Sequence, residues 1–177
     1  MSELERYQID LKGQKEDVRM LEYDIDDRFF AALDGAELEH GALHVSVSIR
    51  KASGFFELHF HTEGTVVVCC DLCLDDMDQP ISSDHQLIVK LGAVSETDDD
   101  EFITVSEDAG ILDLSWFIYE FIALSIPIKH VHAPGKCNHV MTEKLHELSA
   151  ARSSDEVSDR PIDPRWSKLT ELINIKD

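Results

Sequence analysis

The chain has 177 residues, 43% of them hydrophobic, which is enough apolar material for one domain with a core and too much for wholesale disorder. Its 36 Asp and Glu against 16 Lys and Arg give a formal charge of −20, which weighs against nonspecific nucleic-acid binding and against anionic membrane surfaces, and favours basic protein partners. The opening MSELERYQIDLKG is charged from the start and does not read as a secretory signal, and the longest apolar stretch, residues 116–126, is short and interrupted by Glu120.

Residues 7–11 alternate polar and apolar, as a half-buried strand does, and residues 18–25 form a second candidate strand. Asp26 and Asp27 precede residues 28–33, which predicts a short aspartate-capped helix ended by an Asp34-Gly35 turn. Leu43, Val45, Val47 and Ile49 then occupy every second position, with His44, Ser46, Ser48 and Arg50 between them. After a Ser53-Gly54 turn, Phe56, Leu58 and Phe60 alternate with Glu57, His59 and His61. Glu63-Gly64 predicts another turn and residues 65–69 a buried strand, completing an antiparallel meander. Residues 83–91 add a strand with Leu87, Val89 and Leu91 on one face; the acidic run 96–101 reads as an exposed loop and 102–105 as a short strand.

The period then changes. Asp113 or Ser115 can cap a helix running to about Leu124, with Leu114, Phe117, Ile118, Phe121, Ile122 and Leu124 as a core-facing stripe, Glu120 on the polar side and Pro127 as the stop. Residues 129–139 read as a loop and 141–150 as a short helix. The expected fold is α+β: an antiparallel β-meander or partial barrel packed by one main helix over residues 1–150. A flexible linker, 151–162, leads to a peripheral amphipathic helix, 163–177, carrying Trp166, Leu169 and Leu172.

The sharpest local motif is Cys70-Asp71-Leu72-Cys73, at a strand end. Two thiolates at this spacing can hold one Zn²⁺ from a tight turn, and a tetrahedral site then needs two more ligands. Cys137 lies in a segment crowded with His130, His132 and His139. Cys70, Cys73 and Cys137 with His132, or with His139 in its place, would make a Cys₃His site. Two other readings of the pair stand beside this one: a redox dithiol, disfavoured by the acidic run 75–78 because carboxylates raise a thiol pKa, and ordinary buried cysteines. Cys69 points to the opposite strand face from Cys70 and is expected in the core. His59 and His61 share a strand face, which a solvated surface explains as well as a metal site does. No nucleophile elbow, phosphate-binding loop or HExxH motif is present.

Four ordered pieces make the chain resemble the DUF177/YceD family. They are Cys70-Asp71-Leu72-Cys73-Leu74, similar to the family's C-D-R-C-L; Glu120 running into Leu124-Ser125-Ile126-Pro127; His130-Val131-His132 followed by Gly135-Lys136-Cys137-Asn138; and Asp163-Pro164-Arg165-Trp166 with Leu169 and Leu172. Leu72 stands where the family's arginine is usual. The resemblance implies a cytoplasmic, non-enzymatic role in accumulation of 23S ribosomal RNA and of the large ribosomal subunit. It implies partners such as a pre-50S particle or ribosomal protein L32, beside which members are often encoded, with Arg165 and Trp166 as partner-binding residues. With the acidic charge, it suggests an acidic chaperone for a basic ribosomal protein. A direct RNA-binding module is the alternative and requires Arg50, Lys51, Lys90, Lys129 and Lys136 to converge on one face; a zinc-dependent enzyme requires an open coordination position.

Overall fold

The computed structural model describes residues 3–92 and 102–148. The chain divides after Asn138 into two units; the first holds every described strand and two helices, and the second begins with helix α3, His139–Leu148. In chain order the first unit contains a 3-10 turn at Glu3–Tyr7, β1 (Gln8–Asp10), β2 (Val18–Ile25), α1 (Asp27–Ala32), β3 (Gly41–Ala52), β4 (Phe55–Cys69), β5 (Asp76–Gly92), β6 (Ile103–Ser106), β7 (Ile111–Asp113) and α2 (Ser115–Leu124).

The main sheet has the order β2-β3-β4-β5-β6 and β1 pairs β7 in a separate two-stranded sheet. The first four strands form the expected antiparallel meander, whereas β6 joins β5 in parallel, Val89 opposite Ile103. With β2 and β6 as edges, the sheet does not close into a barrel. The fold is α+β, as the change of period along the sequence indicates.

Alternation decides which face is covered. Leu43, Val45, Val47 and Ile49 of β3 and Phe56, Leu58, Phe60, Thr62, Val66 and Val68 of β4 are all buried, whereas His44, His59, His61 and Glu63 are exposed on the other face. Phe29 and Phe30 of α1 join this core, and Asp26 caps that helix by accepting from the Arg28 N–H at 3.1 Å. Helix α2 lays Ile118 and Ile122 on the sheet, and Phe121 meets Phe60 edge-on at 5.0 Å between ring centroids. Asp113 supplies the side-chain acceptor ahead of α2, taking the Ser115 N–H at 2.8 Å. Glu120 faces solvent. So does Leu124, expected in the stripe, because the helical rotation that aligns Leu114, Ile118 and Ile122 carries it off their line.

Glu63-Gly64 is not a turn: β4 runs unbroken through it, and Gly64 pairs with Leu43. A glycine inside a strand here marks a close approach of backbones, since a Cβ on Gly64 would lie 2.3 Å from the Ala42 carbonyl oxygen. Strand β5 begins at Asp76 rather than near Ser83, because β4 offers it a continuous ladder from Cys69 to Phe56. The acidic run 96–101, the linker 151–162 and the helix expected over 163–177 lie outside the described residues.

Candidate metal centre

Strands β4 and β5 form a long hairpin whose tip is the segment 70–75. The Cys70 N–H donates to the Asp75 carbonyl at 2.9 Å and the Leu74 N–H to the Cys70 carbonyl at 2.9 Å, folding Cys70-Asp71-Leu72-Cys73 into a tight knuckle. Closing it puts Leu74 in the left-handed region at φ 62°.

The chain that follows α2 is clasped to this tip by Asp71. The Asp71 N–H donates to the His130 carbonyl at 3.0 Å, and Asp71 Oδ2 accepts the His130 N–H at 2.8 Å. That two-way contact brings in His132 and Cys137. Cys70 Sγ lies 3.9 Å from Cys137 Sγ, and Cys73 Sγ lies 3.3 Å from His132 Nδ1. The four donor atoms are all within 4.8 Å of one another. In a tetrahedral zinc site with ordinary bond lengths, ligand sulfurs are about 3.8 Å apart and a sulfur and an imidazole nitrogen about 3.6 Å apart. The Cys70–Cys137 and Cys73–His132 separations lie close to those values. Three sulfurs and one nitrogen are the donor set of closed structural zinc sites, with no position left for water or substrate.

Burial and hydrogen bonding set the thiols apart. Burial pushes the Cys70 thiol up, but backbone N–H groups of Cys73, His132 and Leu72, together with the Cys73 side chain, bring it down to about 6. The thiolate, the metal-binding form, is therefore favoured at this atom. Burial and the neighbouring Cys70 and Cys73 sulfurs push Cys137 up to about 11. A redox dithiol needs an accessible thiol, whereas Cys70 and Cys73 are 0% and 1% exposed. Nor does dithiol chemistry require the third sulfur and the imidazole found beside them.

Residues 58–173 match the family described as large ribosomal RNA subunit accumulation protein YceD. The chain belongs to the YceD family. No curated protein and no solved structure matches it. The YceD match takes in most of β4, the knuckle and all four grouped residues, and extends over Arg165 and Trp166, which lie outside the described residues. In this YceD chain Leu72, between the two cysteines, is a partly exposed residue at the knuckle.

The remaining candidates fall elsewhere. His130 turns its ring to the Pro127 carbonyl, 3.0 Å from Nδ1, and to Asp71. His139 opens α3 in the second unit, its Nδ1 3.5 Å from Glu143 Oε1. Cys69 is exposed and not in the core; it ends β4 one residue past buried Val68, and its thiol donates to the Leu74 carbonyl at 3.0 Å. His61 has both ring nitrogens engaged by carboxylates, Nδ1 by Asp84 at 2.8 Å and Nε2 by Glu63 at 3.2 Å, and these bonds raise its pKa. The five cations invoked for RNA binding are split between the two ends of β4. Arg50 and Lys51 lie opposite the first residues of β4 and Lys90 follows Val89, which pairs with Phe56, at the same end, whereas Lys129 and Lys136 flank the segment held at the knuckle, about 40 Å of strand away. The Asp71 clasp is the functional feature that sequence reasoning missed; its signal was an aspartate directly after the first cysteine of the pair. No described helix is long and apolar enough to cross a membrane.

Proposed function

We propose that this chain is a non-enzymatic cytoplasmic factor supporting 23S ribosomal RNA accumulation and large-subunit assembly. It acts as an acidic chaperone for a basic ribosomal protein, L32 foremost, or for the pre-50S particle that receives it. Membership of the YceD family carries the reading. The formal charge of −20 supports it, because opposite charge speeds encounter with a basic protein and suppresses wrong pairings. In this reading Cys70, Cys73, Cys137 and His132 hold one structural zinc ion, tying the β4–β5 hairpin to the segment after α2, and Arg165 and Trp166 contact the partner.

The test is titration of the purified chain with purified L32 by calorimetry at two salt concentrations, beside a nuclease-treated pull-down from cell extract. A salt-sensitive complex that survives nuclease is expected. Recovery of assembly particles only while their RNA is intact, with no L32 complex, overturns the chaperone reading. Metal analysis of the purified chain should find one zinc per chain, lost in Cys137→Ala; no zinc in the parent chain overturns the metal assignment alone.

A further inference from the structure

At the end of the main sheet remote from the knuckle, where β3 turns into β4, the surface opens into a cavity of about 300 Å³. Leu11, Lys12, Lys51, Phe55, Phe56 and Leu91 line it, and among the described residues no carboxylate does. That is unusual in this molecule. The larger cavity on the exposed sheet face contains Asp84, and the one beside Cys69 contains Glu37, Glu39 and Asp76. Lys12 Nζ donates to the Glu107 carbonyl at 3.2 Å, leaving further N–H donors free, and Lys51 Nζ sits 6.0 Å from the centroid of the Phe56 ring. Neither ammonium pairs with a carboxylate among the described residues, although the chain has 36 of them.

We propose that this cavity binds single-stranded RNA, with one unstacked base against Phe55 and flanking phosphates on Lys12 and Lys51. Aromatic side chains accept any base face, and lysine ammonium groups beside them take the backbone, which is the pairing that single-strand sites use. A duplex keeps its bases stacked inside and offers nothing to the aromatic wall. An acidic peptide would satisfy the lysines but supplies a flat ring only where its sequence happens to. The inference goes beyond the chaperone reading: it concerns the opposite end of the sheet and a different ligand. Since the body of the chain is strongly negative, affinity is weak, on the order of 10–100 µM at moderate salt.

The experiment is fluorescence anisotropy of end-labelled 12-residue oligouridine and oligoadenosine with the full chain. Saturable binding is expected, with Phe55→Ala weakening it about tenfold. Lys12→Ala with Lys51→Ala should flatten the dependence of log affinity on log salt by about 0.7 per lysine. Arg28→Ala, on the exposed surface of α1, should leave affinity unchanged, and a blunt duplex should not compete. Both lysines are exposed, so their double variant tests the site even if Phe55→Ala is poorly folded. Absence of saturable binding to either oligonucleotide overturns the proposal, as does binding that the lysine variants do not weaken. Capture of an acidic peptide through these lysines, with no RNA binding, overturns it in favour of a protein ligand.

Discussion

Replacing Gly64 by alanine tests the account of β4 most directly. Gly64 has φ +150°, and an added Cβ would lie 2.3 Å from the Ala42 carbonyl oxygen and 2.5 Å from Leu43 Cα, both backbone atoms of β3. Contacts that short require β3 and β4 to separate by about 1 Å, at about 1–3 kcal/mol for overpacking. The φ value adds about 1–3 kcal/mol. Alanine's stiffer unfolded chain returns about 0.4–1 kcal/mol. The net expectation is a loss of about 2–5 kcal/mol, or about 5–15 °C in Tm for a chain of this size. Thermal unfolding followed by circular dichroism, with urea titration, measures it. Gly54→Ala is the control: its φ is +95°, but nothing lies within 4 Å of the new Cβ, so only the backbone penalty of about 1–2 kcal/mol applies. If Gly64→Ala is no more destabilising than Gly54→Ala, the close approach of β3 to β4 is not what demands glycine there.

Leu74→Gly should stabilise the chain by about 0.5 kcal/mol in urea unfolding, because it removes a left-handed penalty of about 1–2 kcal/mol and adds about 0.5–1 kcal/mol of glycine entropy; Leu74 is 63% exposed, so little apolar burial is lost. Asp71→Ala should cost about 1 kcal/mol and speed amide hydrogen exchange at His130, whose N–H loses its acceptor; unchanged exchange there would refute the clasp. The Asp84 and Glu63 bonds raise the folded-state pKa of His61, so their contribution to stability is fully present below about pH 6.5 and is lost as pH rises through the folded value. The stability difference between the parent chain and His61→Gln should therefore shrink from pH 6 to pH 8, and an imidazole titration by NMR that gives an ordinary pKa would contradict this.

What the sequence made legible was whatever depends on a local period. The alternation at Leu43 to Ile49 and Phe56 to Phe60 identifies both the strands and their buried face, because side chains on a strand reverse face at each residue. Ile118 and Ile122 likewise follow from the helical repeat. The cysteine and histidine group was legible because only a few residue types ligate zinc, and the structure brings His132 together with Cys70, Cys73 and Cys137. Non-local pairing was not legible. Gly64 resembles a turn residue until the β3 backbone is seen against it, and the start of β5 carries Asp76, Asp78 and Pro80, a composition that disguises a strand held by its partner. Cys69 was misplaced because strand alternation alone does not tell where the core ends.

The pairing of β1 with β7 has a consequence for the order of events during synthesis. Asp10 lies opposite Ile111, so the two strands are about 100 residues apart in the chain. At about 5–20 residues per second, β1 leaves the ribosome some 5–20 s before its partner exists. The neighbouring hairpins β2–β3–β4–β5 can close early, since their contacts are local. Ile9, buried in the finished fold opposite Leu112 of β7, lacks that strand partner through the interval, whereas Tyr7 can already meet Tyr23 and Phe29. The arrival of β7 supplies that partner, and α2 and the segment reaching the knuckle, which follow it in the chain, close onto the sheet later still.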